Sequence, residues 1–258
     1  MAEPEGAVAG DVLLLHGVPE SSFMWRALLP ALAGAGWRGV APDLPGYGES
    51  QVDPPATWER QVEAVDAFVR ASGLERLVLV VHDWGGLIGL RWACDHPAAV
   101  RALVISGTGF FPDGKWHGIA EGMRAPGTGE ELMASMTREG FDAMMRQVSR
   151  GMTDEALDAY WTCMADDEHR RAVLELYRSG DFEKVAPYEG RLGALGVPTL
   201  VLWGAGDGFA PPAGAERFAA EIPGSELVVL EDAGHFVFED APEACAAAVT
   251  GFLARLHP

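Results

Sequence analysis

Short apolar runs alternate with helical patterns along most of the chain, and this alternation limits the possible folds more than any other feature. The runs are rich in β-branched residues and bounded by Gly or Pro, which favours buried strands. They lie at residues 12–15, 39–42, 77–81, 100–106, 197–203 and 226–230. Between two of them, Trp58, Val62, Val65 and Val69 recur at helical spacing. The pattern predicts an α/β fold, with a mostly parallel sheet covered by helices on both faces.

The alternation stops between Ser106 and Val197, where helical patterns occur without a convincing strand. Helices are predicted there at residues 130–147, 153–164 and 166–179. Insertions at the carboxyl ends of parallel strands usually shape the binding site of such folds. We therefore expect a core formed by residues 1–107 and 191–258, with a helical cap formed by residues 108–190.

The composition is that of a globular protein with an acidic surface. The chain has 258 residues, 48% of them hydrophobic, so it can bury a core without disulfide bonds. Its 38 acidic and 19 basic side chains give a formal net charge of −19. Such an excess of carboxylates repels phosphates, which argues against nucleic acid or an anionic membrane as a partner.

Three widely spaced cysteines, Cys94, Cys163 and Cys245, match neither a zinc-binding pattern nor a disulfide framework. We expect them to be reduced and mostly buried. The N-terminal residues lack the basic region and apolar run of a secretory signal, and no apolar stretch is long enough to span a membrane. These features predict a cytoplasmic protein with no metal site.

The sequence VHDWGG at residues 81–86 carries the strongest local signal. It follows an apolar run and precedes a segment of helical character at residues 87–90. This order is typical of a sharp strand-to-helix turn that holds one side chain, here Asp83, exposed above a sheet. An aspartate that only caps the helix is the alternative. The preceding strand and the following glycine pair favour a nucleophile.

Three further motifs follow predicted strands: HGVPE at residues 16–20, WGAGD at 203–207 and AGHF at 233–236. Taken singly, HGVPE and WGAGD are ordinary turn sequences, and the histidine of AGHF is more often structural. Taken together, Asp83, Asp207 and His235 occur in the order nucleophile, acid and histidine that α/β-hydrolases use. The backbone N–H groups of Val18 and Trp84 are the candidate oxyanion hole.

These motifs, in this order, resemble the branch of the α/β-hydrolase superfamily that contains epoxide hydrolases and haloalkane dehalogenases with an aspartate nucleophile. The resemblance runs from about residue 11 to the C-terminus. It implies the α/β-hydrolase fold, a helical cap inserted after the strand that ends near Ser106, and a structural loop at residues 43–50. The glycines of that loop do not form a dinucleotide fingerprint, so we expect no cofactor.

The acid that orients the histidine follows a different strand in some relatives, the one that ends near Ser106 in this chain. That stretch reads Gly107-Thr108-Gly109 here, and its first carboxylate is Asp113. Asp207 is therefore the preferred acid.

An aspartate in place of serine changes the chemistry of the nucleophile. With a reference pKa of ~3.9, Asp83 is already ionised at neutral pH. It can displace a leaving group from an sp³ carbon and form an alkyl ester. His235, oriented by Asp207, would then activate water to hydrolyse that ester. Ordinary serine-type esterase activity is not expected.

The leaving group is open between two possibilities, both with a small apolar substrate. An epoxide needs a proton donor, and Tyr177, followed by Arg178, resembles the second of the two cap tyrosines that epoxide hydrolases use. The first has no match, and His117 and Trp116 are substitutes by conjecture; Tyr160 is interpreted as a packing residue. Together with the HGVPE motif, this favours epoxide hydrolysis to a diol, with Tyr177 catalytic and Trp84 and Tyr177 binding the substrate.

Haloalkane dehalogenation by the same covalent route is the alternative. Trp84 matches the first halide-binding tryptophan of the dehalogenases, but Val18 replaces their asparagine. Trp116 and Trp161 are the candidates for a second donor in the cap. Aromatic residues and methionines suggest an apolar pocket: Trp84, Trp116, Phe110, Phe111, Met123, Met144 and Met145.

A third interpretation is a receptor that binds a small apolar ligand without turnover, which the intact set of Asp83, Asp207 and His235 disfavours.

Relatives usually carry a β-hairpin before the first motif, and only ten residues precede Asp11. Without that hairpin, the strand at residues 39–42 becomes an edge, which invites pairing with another chain unless residues 1–10 cover it. We therefore expect either a shortened sheet or an edge-mediated homodimer.

Overall fold

A computed structural model describes residues 1–256, and in that range six strands form one sheet. All neighbouring strands run parallel, in the spatial order β2-β1-β3-β4-β5-β6. The strands are β1 (Asp11–Leu15), β2 (Arg38–Val40), β3 (Leu77–His82), β4 (Val100–Ser106), β5 (Thr199–Gly204) and β6 (Glu226–Leu230). Every residue of β3 is buried, as expected for the centre of a sheet covered on both faces. The predicted α/β architecture is confirmed.

Twelve α-helices surround the sheet in the described part of the chain. Those outside the interval between β4 and β5 are α1 (Leu28–Gly34), α2 (Trp58–Ala71), α3 (Trp84–Asp95), α10 (Ala213–Glu221), α11 (Val237–Asp240) and α12 (Pro242–Leu253). Helix α1 packs against α12, and α2 packs against α3. The buried face of α2 includes Trp58, Val65 and Val69, three of the four residues whose spacing predicts this helix.

The remaining helices lie between β4 and β5, in what we call the helical segment, residues 107–198. They are α4 (Gly118–Arg124), α5 (Thr128–Ser135), α6 (Arg138–Val148), α7 (Asp154–Trp161), α8 (Asp167–Ser179) and α9 (Arg191–Ala194). The prediction of one continuous helix at residues 130–147 is wrong. The chain breaks at Met136 and Thr137, and the Thr137 hydroxyl accepts a hydrogen bond from the N–H of Gly140, which starts α6 as a separate helix.

The first edge of the sheet is β2, which corresponds to the predicted edge strand. No strand of residues 1–256 precedes β1 in the sheet, so the sheet is short, as expected. Ala2 forms an isolated antiparallel bridge with Gly39, with N···O distances of 2.9 and 3.0 Å. The N-terminal residues therefore cover part of this edge, and dimerisation through it stays a prediction.

Candidate active site

Asp83 lies at the tip of the turn between β3 and α3. Its backbone has φ 48° and ψ −121°, and it is the one non-glycine residue with positive φ in the described chain. The turn has room because glycines occupy two positions packed closely around it, Gly17 in the loop after β1 and Gly86 in α3. A Cβ on Gly17 would lie 2.4 Å from the Cβ of Asp83, and a Cβ on Gly86 would lie 2.3 Å from the Thr108 hydroxyl. Such strain is typical of functional positions.

The loops after β5 and β6 bring Asp207 and His235 to Asp83. His235 Nδ1 lies 2.9 Å and 3.1 Å from the two carboxylate oxygens of Asp207. On the other side of the ring, His235 Nε2 lies 3.6 Å from Oδ2 of Asp83. The backbone N–H groups of Phe209 and Ala210 donate to Oδ1 of Asp207 and fix its orientation. The structure thus brings together all three residues that the motifs predict, across 152 positions of sequence.

Asp113, the alternative acid, lies outside this cluster. Its side chain is 70% exposed and pairs with Arg217. It does not contact His235, whose carboxylate partners are Asp207 and Asp83.

The ionisation of Asp83 and His235 is coupled. Burial alone would raise the pKa of Asp83, but its interactions with His235, with His82 and with the Val18 N–H hold that pKa below the usual value. Burial alone would lower the pKa of His235, but Asp207, and then Asp83, raise it from 6.5 to about 10. At neutral pH the resting site therefore holds an Asp83 carboxylate against a His235 imidazolium.

The two candidate oxyanion-hole residues flank Asp83. The backbone N–H of Val18 donates to Oδ1 of Asp83 at 2.9 Å. Trp84 is the first residue of α3, where backbone N–H groups have no partner within the helix. The two carboxylate oxygens therefore differ, because Oδ1 faces the Val18 amide and Oδ2 faces His235.

The buried indole N–H of Trp84 makes no hydrogen bond of normal geometry within residues 1–256, although the Tyr177 hydroxyl lies near enough to interact with it. The Tyr177 ring, on α8, packs edge-on against this indole with the ring centroids 5.2 Å apart. Burial, and then the charge of Asp83, raise the pKa of Tyr177 well above its usual range, while the interaction with Trp84 acts in the opposite direction. The Tyr177 hydroxyl therefore stays protonated, and it can donate a hydrogen bond.

Two cavities meet at Asp83. The main cavity, of about 210 Å³, has an almost entirely apolar wall, and the side cavity, of about 50 Å³, is more polar. Five residues line both cavities: Asp83, His117, Tyr177, Phe209 and His235. The side cavity also contains Lys115, Trp116 and Thr108 in its wall. Asp83 therefore borders both an apolar cavity and a smaller, more polar one, and Trp84 lines the polar one.

The remaining residues considered as donors in the cap form two groups, those that line a cavity and those that do not. His117 lines both cavities, and Trp116 lines the side cavity and stacks on Trp84 with centroids 5.4 Å apart. Trp161 lines neither cavity and packs against Phe141. Tyr160 is fully buried outside the cavities, and its hydroxyl donates to Glu239 at 2.5 Å, which fits its interpretation as a packing residue.

The predicted apolar pocket exists, but two of its expected members are misplaced. Met123, Met144 and Met145 line the main cavity. Phe110 and Phe111 line neither cavity; they pack against Tyr188 and Phe218. The helical segment supplies the methionines from its helices, whereas Phe110 and Phe111 turn away from the site directly after β4.

Glu20 and His82 form a buried pair behind the site that the motifs alone do not reveal. Glu20 Oε2 lies 3.5 Å from Nε2 of His82, and the His82 and His235 rings are 4.8 Å apart. Burial raises the pKa of Glu20 well above its usual value, and burial together with His235 lowers the pKa of His82 to about 3. His82 is therefore neutral at neutral pH, and Glu20 keeps its proton to a higher pH than an ordinary carboxyl group does.

The loop at residues 43–50 has a structural role. Asp43 accepts hydrogen bonds from the N–H groups of Ser22 and Glu49, and the Leu44 N–H donates to the ring of His16.

The cysteines are free and buried. Within residues 1–256, no cluster of side chains suits a metal ion, and no helix has the length and apolar character needed to cross a lipid bilayer.

The fold and the site geometry define an α/β-hydrolase, and comparison with known proteins agrees. Residues 12–248 match the model of the alpha/beta hydrolase family, so the chain belongs to that family. A haloalkane dehalogenase of Mesorhizobium japonicum is 29% identical, over 96% of this chain and 85% of that protein. A cis-3-alkyl-4-alkyloxetan-2-one decarboxylase of Xanthomonas campestris is 30% identical, over 97% of this chain and 91% of that protein.

Among solved structures, a putative ancestral haloalkane dehalogenase superposes with a TM-score of 0.83 at 28% identity. The similarity covers 99% of this chain and 94% of that one. The branch indicated by the motifs is thus confirmed at the level of family and fold.

Proposed function

We propose that this protein is a haloalkane dehalogenase, which converts a small apolar alkyl halide and water into an alcohol and a halide ion through an alkyl ester on Asp83. The observation that carries the proposal is the buried indole N–H of Trp84, which lies beside the nucleophile and makes no hydrogen bond of normal geometry in the part of the chain that the structure describes. A leaving halide is an acceptor that would satisfy it. Unsatisfied buried donors are costly, so one beside a reactive group indicates a ligand position.

In the first step, Oδ2 of Asp83 attacks the carbon that bears the halogen. A carbon–oxygen bond forms, the carbon–halogen bond breaks, and the halide leaves with the bonding electron pair. Trp84 and Tyr177 supply hydrogen-bond donors to the developing negative charge. We assign attack to Oδ2 because the Val18 N–H already holds Oδ1.

Ester formation changes the ionisation of His235. The Asp83 carboxylate is one of the two charges that raise the His235 pKa to about 10. Its conversion to a neutral ester removes that contribution, so His235 loses its proton more readily and becomes a general base. The first step of the reaction thus converts His235 into the base that the second step needs.

In the second step, water attacks the carbonyl carbon of Asp83 and transfers a proton to Nε2 of His235. The negative charge develops on Oδ1, which already accepts from the Val18 N–H, and the backbone N–H of Trp84 is the proposed second donor. The intermediate then expels the alcohol oxygen, which takes up the proton from His235, and the carboxylic acid left on Asp83 passes its remaining proton to His235. Asp83 returns as a carboxylate, and no cofactor is needed. We propose residues 108–190 as the cap that excludes bulk water.

Epoxide hydrolysis is the second candidate, and the protonated hydroxyl of Tyr177 favours it. That hydroxyl borders the same two cavities as Asp83, so it is placed to protonate an opening epoxide oxygen. The other two tyrosines of the helical segment line neither cavity: the Tyr160 hydroxyl donates to Glu239, and the Tyr188 hydroxyl donates to Asp95. A single tyrosine donor makes this activity the weaker candidate.

The test compares halide release from chloro-, bromo- and iodoalkanes with diol formation from matched epoxides. We expect halide release that Asp83→Asn abolishes and that Trp84→Phe strongly reduces. Loss of one such donor costs about 10²–10³ in kcat. Diol formation without halide release would establish the epoxide candidate and overturn the dehalogenase proposal.

A further inference from the structure

The wall of the main cavity is unusually rich in methionine. Six of the nine methionines of the chain line it: Met123, Met133, Met136, Met144, Met145 and Met164. Methionine has three rotatable bonds and a polarisable sulfur, so it adapts to flexible apolar ligands. A cavity shaped for one rigid ligand would be expected to use side chains with fixed rotamers instead.

Helix α6 gives the cavity an extended shape. Phe141, Met144, Met145 and Val148 all line it, and their spacing places them on one face of the helix. The stripe spans seven residue steps, which is about 10 Å along the helix axis. This face of α6 therefore adds an elongated apolar wall to the cavity that Asp83 borders.

The cavity reaches the molecular surface at an apolar lip formed by Ile119 on α4 and Leu132 on α5. Both residues line the cavity, yet their exposed fractions are 47% and 39%. Large hydrophobic side chains this exposed are few among residues 1–256. Exposed apolar residues at the rim of a groove mark a place where an apolar ligand binds.

Resting on the proposed function, we infer that the preferred substrates carry an extended, unsubstituted alkyl chain. The chain runs from Asp83 along the methionine wall, and its far end lies between Ile119 and Leu132. The polar residues of the lining, Asp83, His117, Tyr177 and His235, also line the side cavity or belong to the reacting centre. A substrate with a polar group at its far end would leave that group unpaired against the apolar lip.

The test is a series of 1-bromoalkanes from butyl to decyl, with bromide release measured at subsaturating concentration. A buried methylene is worth about fourfold in affinity. We expect kcat/KM to rise by about that factor for each added methylene until the chain reaches the lip. A flat or falling series would overturn the inference.

Substitutions at the lip test the position of the chain end. Leu132→Gln should lower the decyl-to-butyl ratio of kcat/KM by about fivefold, because the longer chain loses apolar contact there. Ala134→Gln is the matched control, since Ala134 is exposed on the same helix but does not line the main cavity. An unchanged ratio in Leu132→Gln, or an equal change in the control, would contradict the inference.

Binding of the 1-alkanols with the same chain lengths separates this inference from the proposed function. If no bromoalkane releases bromide, the dehalogenase proposal fails, and calorimetric titration of the alkanols still reports the chain-length dependence. Affinity that rises with length in the unaltered protein and falls at the long end in Leu132→Gln supports the inference. Absent or length-independent alkanol binding overturns it.

Discussion

At the scale of single residues, Asp83 and His235 set each other's proton affinity. Asp83→Asn removes one of the two carboxylates that raise the His235 pKa to about 10, while Asp207 and burial remain. We expect the pKa of His235 to fall, as measured by NMR titration of its ring. The asparagine fits because its side chain tolerates the positive φ of this turn.

A matched substitution controls for the loss of one negative charge anywhere in the molecule. Asp113→Asn removes a carboxylate that is exposed and remote from His235. The His235 pKa should be unaltered in that variant. Equal pKa values for His235 in the unaltered protein and in Asp83→Asn would refute the coupling on which the two-step chemistry depends.

Glu20 makes stability depend on pH. Its pKa is raised well above 4.5 by burial, so the folded state keeps a proton that the unfolded chain releases above that pH. Stability is therefore lost as pH rises from 4.5 toward the folded-state pKa. Glu20→Gln cannot ionise, so its Tm should exceed that of the unaltered protein by more at about pH 8 than at about pH 5.

The exposed glutamate Glu155 provides the control for this prediction. Glu155→Gln should give the same small Tm difference at both pH values. A Glu20→Gln difference that is constant with pH would mean that Glu20 is ionised in the folded protein. The Glu20–His82 pair would then be an ion pair.

At the scale of secondary-structure elements, a buried polar network joins the helical segment to the sheet-bearing part of the chain. Tyr160 on α7 donates to Glu239 on α11, and Arg26 forms two hydrogen bonds with the same carboxylate. Tyr160→Phe removes one hydrogen bond to a buried charged acceptor. We expect a loss of about 1.5–3 kcal/mol in the free energy of unfolding, measured in urea.

Catalytic activity should survive that change, because Tyr160 lines neither cavity. Tyr177→Phe is the comparison, since Tyr177 borders both cavities and should affect turnover more than stability. A collapse of turnover in Tyr160→Phe, with stability intact, would make Tyr160 the missing proton donor of the epoxide candidate.

Secondary structure could be predicted where one local pattern decides it. The six strands are apolar runs with sharp boundaries, and each predicted range overlaps an observed strand. The prediction of a buried strand is wrong for β6, which is an edge strand with Leu227 and Val229 exposed. The break between α5 and α6 was not predicted, because Thr137 lies within a continuous helical pattern and its capping role depends on the local backbone. Helix α4 was also missed, since it has only seven residues and two glycines.

At the scale of the whole molecule, the site depends on the order of strands in the sheet. Strands β3, β5 and β6 are distant in sequence, yet their carboxyl ends bring Asp83, Asp207 and His235 together. The motifs predicted these three residues because each lies in a turn or loop within five residues of the end of a strand. The Glu20–His82 pair arises from tertiary packing, so no local pattern could show it. The methionines of the helical segment suggested an apolar pocket, but its full lining depends on how the helices pack.

The most direct test of the account is to trap the ester on Asp83. His235→Gln lacks the base for the second step, so incubation with a bromoalkane should leave a stable adduct. Intact-protein mass spectrometry should show the mass of the bromoalkane less hydrogen bromide, and peptide mapping should place it on Asp83. No adduct with any haloalkane, or an adduct on another residue, would contradict the central claim that Asp83 is the nucleophile.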